Sequence, residues 1–184
     1  DFQNGLPNSL IAQIRLTQME GNPANLFDAP ISIDGGQADM KLQLDPFELT
    51  IGEMLIQDRG QSLVLDAHLS AAEDDWVVAV NGRMDALDSQ RVTDWWPENA
   101  AAKTRKWVDE NILEGRLTDI NFAARSKPGS RPDIYVDFAF EDASVRYAKK
   151  LPIVTGGSGQ AVLYRDRFTV MAHEGVVSPG DGGL

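Results

Sequence analysis

Few residues in this chain have the types and spacing for chemistry. Its 184 residues include no cysteine and only two histidines, His68 and His173. Thiol nucleophiles, disulfides and Cys-based zinc sites are excluded, and a histidine-rich metal centre with them. His68 stands between Asp66 and Ser70, so the three members of a Ser–His–Asp relay are present in name. Residues two apart on a strand lie side by side, whereas a working relay draws its members from separate elements. The spacing therefore predicts a solvated strand face, and His173 beside Glu174 reads the same way. Glu73-Asp74-Asp75 offers carboxylates to a divalent cation but lacks the spaced ligands and glycine of a calcium loop. It reads as a hairpin turn. Gly156-Gly157-Ser158-Gly159 has neither the helix nor the lysine that should follow a phosphate loop, and also reads as a turn. No Gly-x-Ser-x-Gly elbow occurs. Asp133, Asp137 and Glu141 share one strand parity, and in a cleft a carboxylate pair with split pKa values does acid–base work. Charges on a wet strand face account for them more simply. The expectation is no catalytic residue, no metal and no cofactor.

Two side-chain clusters remain. Lys103, Arg105 and Lys106 read as the solvated face of a helix. Trp95, Trp96 and Trp107 are three of the four tryptophans in the chain, within 13 residues. With Val108 they read as a hydrophobic plug that anchors a helix to a sheet. An aromatic platform for a sugar or lipid is the competing reading.

The elements that must position these residues are mostly strands. Residues 37–45 alternate without a break, with Ala38, Met40, Leu42 and Leu44 on one side. Similar runs occupy 10–17, 47–56 (Phe47, Leu49, Ile51), 62–70 (Leu63, Leu65, Ala67, Leu69) and 76–84 (Trp76, Val78, Val80). Further runs follow at 117–125, 133–141 (Ile134, Val136, Phe138, Phe140), 143–148, 159–165 and 167–173. Asp34-Gly35-Gly36, Asp58-Arg59-Gly60, Glu73-Asp74-Asp75 and Arg165-Asp166 read as turns between runs. Connections this short imply antiparallel hairpins in a meander. Residues 97–113 break the pattern with helical spacing. Pro97 suits a first helical turn, Glu98 favours that end, and Gly115 is placed to stop the helix. A shorter helix is expected over Asp88–Trp95. The expected fold is mainly β: a strongly curved, groove-like antiparallel meander with one mid-chain α-helix and a second short helix. One strand block is expected over 1–94, then the helix and a second block of the same elongated sheet over 95–184.

Charge and length bound the partners. The chain carries 17 Lys+Arg against 28 Asp+Glu, a net charge of −11. Nucleic acid and anionic membrane surfaces both need a basic surplus that is not here. An apolar fraction of 42% supports a core, and no apolar run is long enough to span a bilayer. The chain opens on Asp1 and closes on Ser178-Pro179-Gly180-Asp181-Gly182-Gly183-Leu184, which reads as a piece of a longer protein. Nearly every strand has an apolar side, with little helix to cover it. Either those sides meet in a closed β-sandwich, or the sheet curls around an apolar groove that takes a ligand.

Two stretches carry a resemblance. The first is Trp95-Trp96-Pro97, Thr104-Arg105-Lys106-Trp107-Val108, Ile112 and Gly115-Arg116-Leu117-Thr118. The second is Tyr147-Ala148-Lys149-Lys150-Leu151-Pro152-Ile153 with Gly159-Gln160-Ala161 and Arg167-Phe168-Thr169-Val170. Over 95–170 the chain resembles the large AsmA-like proteins of Gram-negative envelopes, the YhdP and TamB relatives. The resemblance implies a periplasmic section of a parent anchored in the inner membrane. It implies an apolar β-groove that carries phospholipid toward the outer membrane and supports its barrier. Acyl chains would then touch Met40, Leu42, Leu44, Leu63, Leu65, Ile134, Val136, Phe138 and Phe140. The closed sandwich, a structural or interaction module without ligand, is the alternative.

Overall fold

The computed structural model describes residues 2–3, 6–22, 27, 30–73, 75–148 and 151–177. Strands β1 (Phe2–Gln3) and β2 (Leu6–Pro7) pair with each other. The other nine are β3 (Ser9–Gly21), β4 (Ile31–Leu44), β5 (Phe47–Asp58), β6 (Gln61–Ala72), β7 (Asp75–Asp88), β8 (Ile112–Ser126), β9 (Asp133–Val145), β10 (Val154–Tyr164) and β11 (Arg167–Val177). They form one antiparallel sheet in sequence order, β3 at one edge and β11 at the other, not closed into a barrel. This is the expected meander. The two facing sheets of a sandwich are not its architecture.

The turns divide into two groups. Arg59 and Gly60, at φ of 47° and 78°, close the β5–β6 hairpin, and Arg165, at φ 57°, closes β10–β11. Glu73 turns at φ 43° before β7, while Asp74 lies outside the described residues. Asp34-Gly35-Gly36 is no turn, contrary to expectation. It lies within β4, where a Cβ on Gly36 would stand 2.3 Å from the Leu55 carbonyl oxygen. Gly156-Gly157-Ser158-Gly159 is likewise inside β10, with Gly156 bulged at φ 60°. In both places glycine serves the close approach of a neighbouring backbone. The runs 133–141 and 143–148 are also one strand, β9, in which Asp142 at φ 51° resets the alternation.

The chain divides into two compact units. The first holds Asp1–Gly21, Ser32–Met84 and Asn121–Tyr135; the second holds Asn22–Ile31, Asp85–Ile120 and Val136–Leu184. Ile33, Ala38, Ile56, Leu63 and Met84 are buried in the first, and Leu87, Ile120, Ala143, Ala161 and Leu163 in the second.

Both helical segments belong to the second unit. A 3₁₀ helix covers Ser89–Trp95, and α1 covers Ala102–Asn111. The helix thus starts five residues later than Pro97 suggested. Pro97 to Ala100 form a turn instead, closed by the Ala100 N–H on the Pro97 carbonyl and by Trp96 Nε1 donating to the Ala100 carbonyl at 2.6 Å. Ala101 then adopts a left-handed conformation, so the helical run can begin only after it. Gly115 does not stop the helix. Ile112 already opens β8, and Gly115 (φ 144°) lies where a Cβ would meet Ala143 at 3.1 Å.

Arg105 ties α1 to the preceding segment. Its Nε donates to the Trp96 carbonyl at 3.1 Å and its Nη2 to the Thr93 carbonyl at 3.2 Å. Hydrogen bonds from a charged donor to part-buried carbonyls contribute about 1.5–3 kcal/mol. Arg105→Ala is expected to lower stability by about 2 kcal/mol on that basis, read from urea unfolding. Arg105→Lys should restore little, because one ammonium cannot reproduce the planar fork. Full rescue by lysine would show that charge alone matters there.

Candidate functional site

Register builds an apolar face in the first unit. Hairpin pairing aligns Leu44 with Phe47, Leu42 with Leu49, Met40 with Ile51 and Ala38 with Met54. On the next strand Leu69, Ala67, Leu65 and Leu63 stand beside Leu49, Ile51, Met54 and Ile56. On β7, Val78, Val80, Gly82 and Met84 continue the rows. Directly paired residues of an antiparallel sheet share a face. All these side chains therefore stand on one side of four adjacent strands. A bulge at Gly52–Glu53 keeps Ile51 and Met54 together despite their odd separation. Phe122 on β8 lies over Gly82, where a Cβ would fall 2.1 Å from its ring.

Burial along this face is graded. Ala38, Ile56, Leu63 and Met84 are buried at one end of the strands. Met40, Leu42, Leu49, Ile51, Leu65, Ala67, Leu69, Val78 and Val80 are half-buried in the middle. At the other end Leu44 is 51% and Trp76 45% exposed. There Phe47 and Trp76 meet edge to face at 5.3 Å, across the small Ala71. A core face would be buried along its whole length; this one opens toward the Asp45–Pro46 turn.

The opposite face mixes polar side chains with Leu55, Val64 and Val77. His68 Nδ1 lies 3.4 Å from Thr50 Oγ1 and 3.8 Å from Glu48, both on the neighbouring strand. Asp66 accepts instead from Asn81 Nδ2 at 2.7 Å, so no Ser–His–Asp relay forms. A shallow depression of about 470 Å³ is lined by Asp66, Asn81, Arg83 and Tyr135 together with Leu65 and Phe122.

The second unit carries its own apolar cluster. Leu163, Ala161 and Gly159 pair with Phe168, Val170 and Ala172 across β10–β11. Trp107 of α1 packs on Phe168 at 6.2 Å, and Phe138 stacks on the same ring at 6.4 Å. The Phe140 ring lies over Gly159. Trp95 and Trp96 are half-buried, and Val108 lines a small cavity beneath α1. Of the basic cluster, Arg105 is engaged by carbonyls and Lys106 pairs with Glu110 at 3.6 Å.

The nine residues expected to touch acyl chains therefore fall into two sets. Met40, Leu42, Leu44, Leu63 and Leu65 share the four-strand face of the first unit, with Leu63 at its buried end. Ile134 also belongs to that unit, and Val136, Phe138 and Phe140 to the second. Sequence reasoning missed Met54 as a member of the face; Trp76 it placed with Val78 and Val80, but not among the acyl contacts. Its available signal was the apolar parity slip between Ile51 and Met54, which a bulge produces. Asp137 and Glu141 lie four strand residues apart, about 13 Å, too far for a glycosidase pair. Among the described residues no group of His, Asp and Glu is arranged to hold a metal ion. Among the described residues no helix is long and apolar enough to cross a membrane.

Fold and faces define an open antiparallel meander sheet, with an apolar face in the first unit and, in the second, an apolar cluster on which Trp107 of α1 packs. Compared with protein-family models, curated proteins and solved structures, the chain matches none.

Proposed function

We propose that this chain is a section of a periplasmic AsmA-like protein whose apolar sheet face carries or shields phospholipid between the inner and outer membranes. The parent protein, in this reading, is anchored in the inner membrane of a Gram-negative bacterium and supports the outer-membrane barrier. One observation carries the proposal: the four-strand face of Met40, Leu42, Leu49, Ile51, Leu65 and Val80 is continuous, apolar and only half-buried. Such a face needs an apolar occupant. Acyl chains suit it, since each methylene withdrawn from water contributes about 0.8 kcal/mol without any polar contact. The exposed Leu44 and Trp76 mark the end where a chain enters, and the buried Leu63 and Met84 mark where the face closes.

The experiment exploits strand alternation. Leu42→Asp puts a charge among the acyl contacts, while Gln43→Asp puts the same charge on the opposite face one residue away. Crosslinking of a photoactivatable phospholipid is expected to fall about tenfold or more in the first variant, the penalty for an unpaired polar group in an apolar site. The second variant should match the parent chain. Equal crosslinking by both, with folding intact, removes this face from the lipid path.

A further inference from the structure

A cavity of about 280 Å³ lies between the 3₁₀ segment and α1, within the second unit. Buried Ser89 and half-buried Thr93 bring hydroxyls to it, and the exposed Gln90 and Asp109 stand at its open rim; Val108, Ile112 and Leu113 supply apolar wall. Ser89 is 7% exposed, yet its Oγ makes no hydrogen bond to any described residue. A buried hydroxyl without a partner is costly and rare, and a water, ion or ligand group bound beside it would satisfy it.

The lining decides the chemistry of that group. No lysine, arginine or histidine faces the cavity, so an incoming phosphate or carboxylate meets no counter-charge and is repelled by Asp109. Asp109 only accepts hydrogen bonds, and the hydroxyls accept as readily as they donate. The complementary visitor is a cation with several N–H donors on a short aliphatic stem. An ammonium brings three donors, enough for Asp109, Ser89 and Thr93 together. Its methylenes meet Val108, Ile112 and Leu113.

We propose that this cavity is a binding site for a primary ammonium group of the ethanolamine type, either a free amine or the headgroup of an aminophospholipid. The second source rests on the lipid reading above; the first does not.

The test titrates the full chain with ethanolamine at pH 7 and follows the amide signals of Ser89, Thr93 and Asp109 by NMR. Saturable shifts at those residues are expected, with no response to sodium phosphate. Asp109→Asn should weaken binding about tenfold or more, the loss of a charge-assisted hydrogen bond. Glu110→Gln, one residue away and paired with Lys106, should leave it unchanged. Ser89→Ala removes the unpartnered hydroxyl, so it should bind the amine more weakly while its Tm holds or rises. That readout separates a binding role from a structural one. A second arm compares lysophosphatidylethanolamine with lysophosphatidylglycerol. Tighter binding of the former assigns the headgroup. Ethanolamine binding with neither lysolipid bound assigns a free amine and overturns the lipid reading alone. No saturable response to ethanolamine, or equal binding of the two lysolipids without it, overturns the amine site.

Discussion

Leu163→Ala is expected to lower the stability of the second unit by about 3–5 kcal/mol, the range for a core leucine whose surroundings cannot collapse. Leu163 is 1% exposed, and it alone among the described residues has a large side chain buried below 2%. It stands opposite Phe168, whose ring contacts those of Trp107 and Phe138. A ring with two aromatic neighbours moves little, so the vacated volume stays open and the transfer and cavity terms add. Urea unfolding should show a lower midpoint with an unchanged slope. Leu163→Met, which conserves volume, should cost less than about 1.5 kcal/mol. A loss below 1 kcal/mol for alanine would mean that β10 and β11 close over the gap.

Gly159→Ala should be nearly as damaging, although it adds one methyl. A Cβ there would stand 2.1 Å from the Met171 carbonyl oxygen, 2.7 Å from the Phe140 ring and 3.0 Å from the Ala172 Cα. The cause lies in the ladder. Ser158 pairs with Glu174 while Gly159 pairs with Ala172, so one extra residue, His173, is accommodated on β11 and its backbone crosses Gly159 closely. Backbone cannot rotate away as a flexible side chain can. The expected cost is about 3 kcal/mol or more, at the upper end for overpacking. Gly21→Ala is the control: nothing lies within 4 Å of its Cβ position, and a change within about 0.5 kcal/mol is expected. Equal tolerance at both positions would contradict the close approach of β11 to β10.

These two sites show what the sequence disclosed and what it hid. Period-2 alternation located the nine long strands because each has one wet and one apolar side, and Asp58-Arg59-Gly60 and Arg165-Asp166 marked their hairpins. Alternation also selected Met40, Leu42, Leu44 and Leu65, which register brings onto one face. It failed where strands are bulged. The slips at Gly52–Glu53 and Asp142 look like strand ends to a parity count, although the ladder continues through them. Glycines misled for a related reason. Gly36 and Gly159 sit where two backbones nearly touch, and a sequence does not distinguish that need from the needs of a turn. The helix start was misplaced because Pro97 fits a first helical turn equally well, and only the Trp96 and Arg105 hydrogen bonds show that its turn is separate. The cavity around Ser89 left no sequence signal. It depends on a 3₁₀ segment and α1 lying side by side, with Ser89 and Asp109 twenty residues apart in the chain.

The central claim is that the apolar face of the first unit is a lipid path and not an incompletely packed core. Native mass spectrometry of the purified chain, with lipid extraction alongside, tests it most directly. Phospholipid bound at defined stoichiometry, lost in Leu42→Asp and kept in Gln43→Asp, is the predicted result. A lipid-free, monodisperse chain that takes up no phospholipid from vesicles, with both variants indistinguishable from it, would contradict the claim.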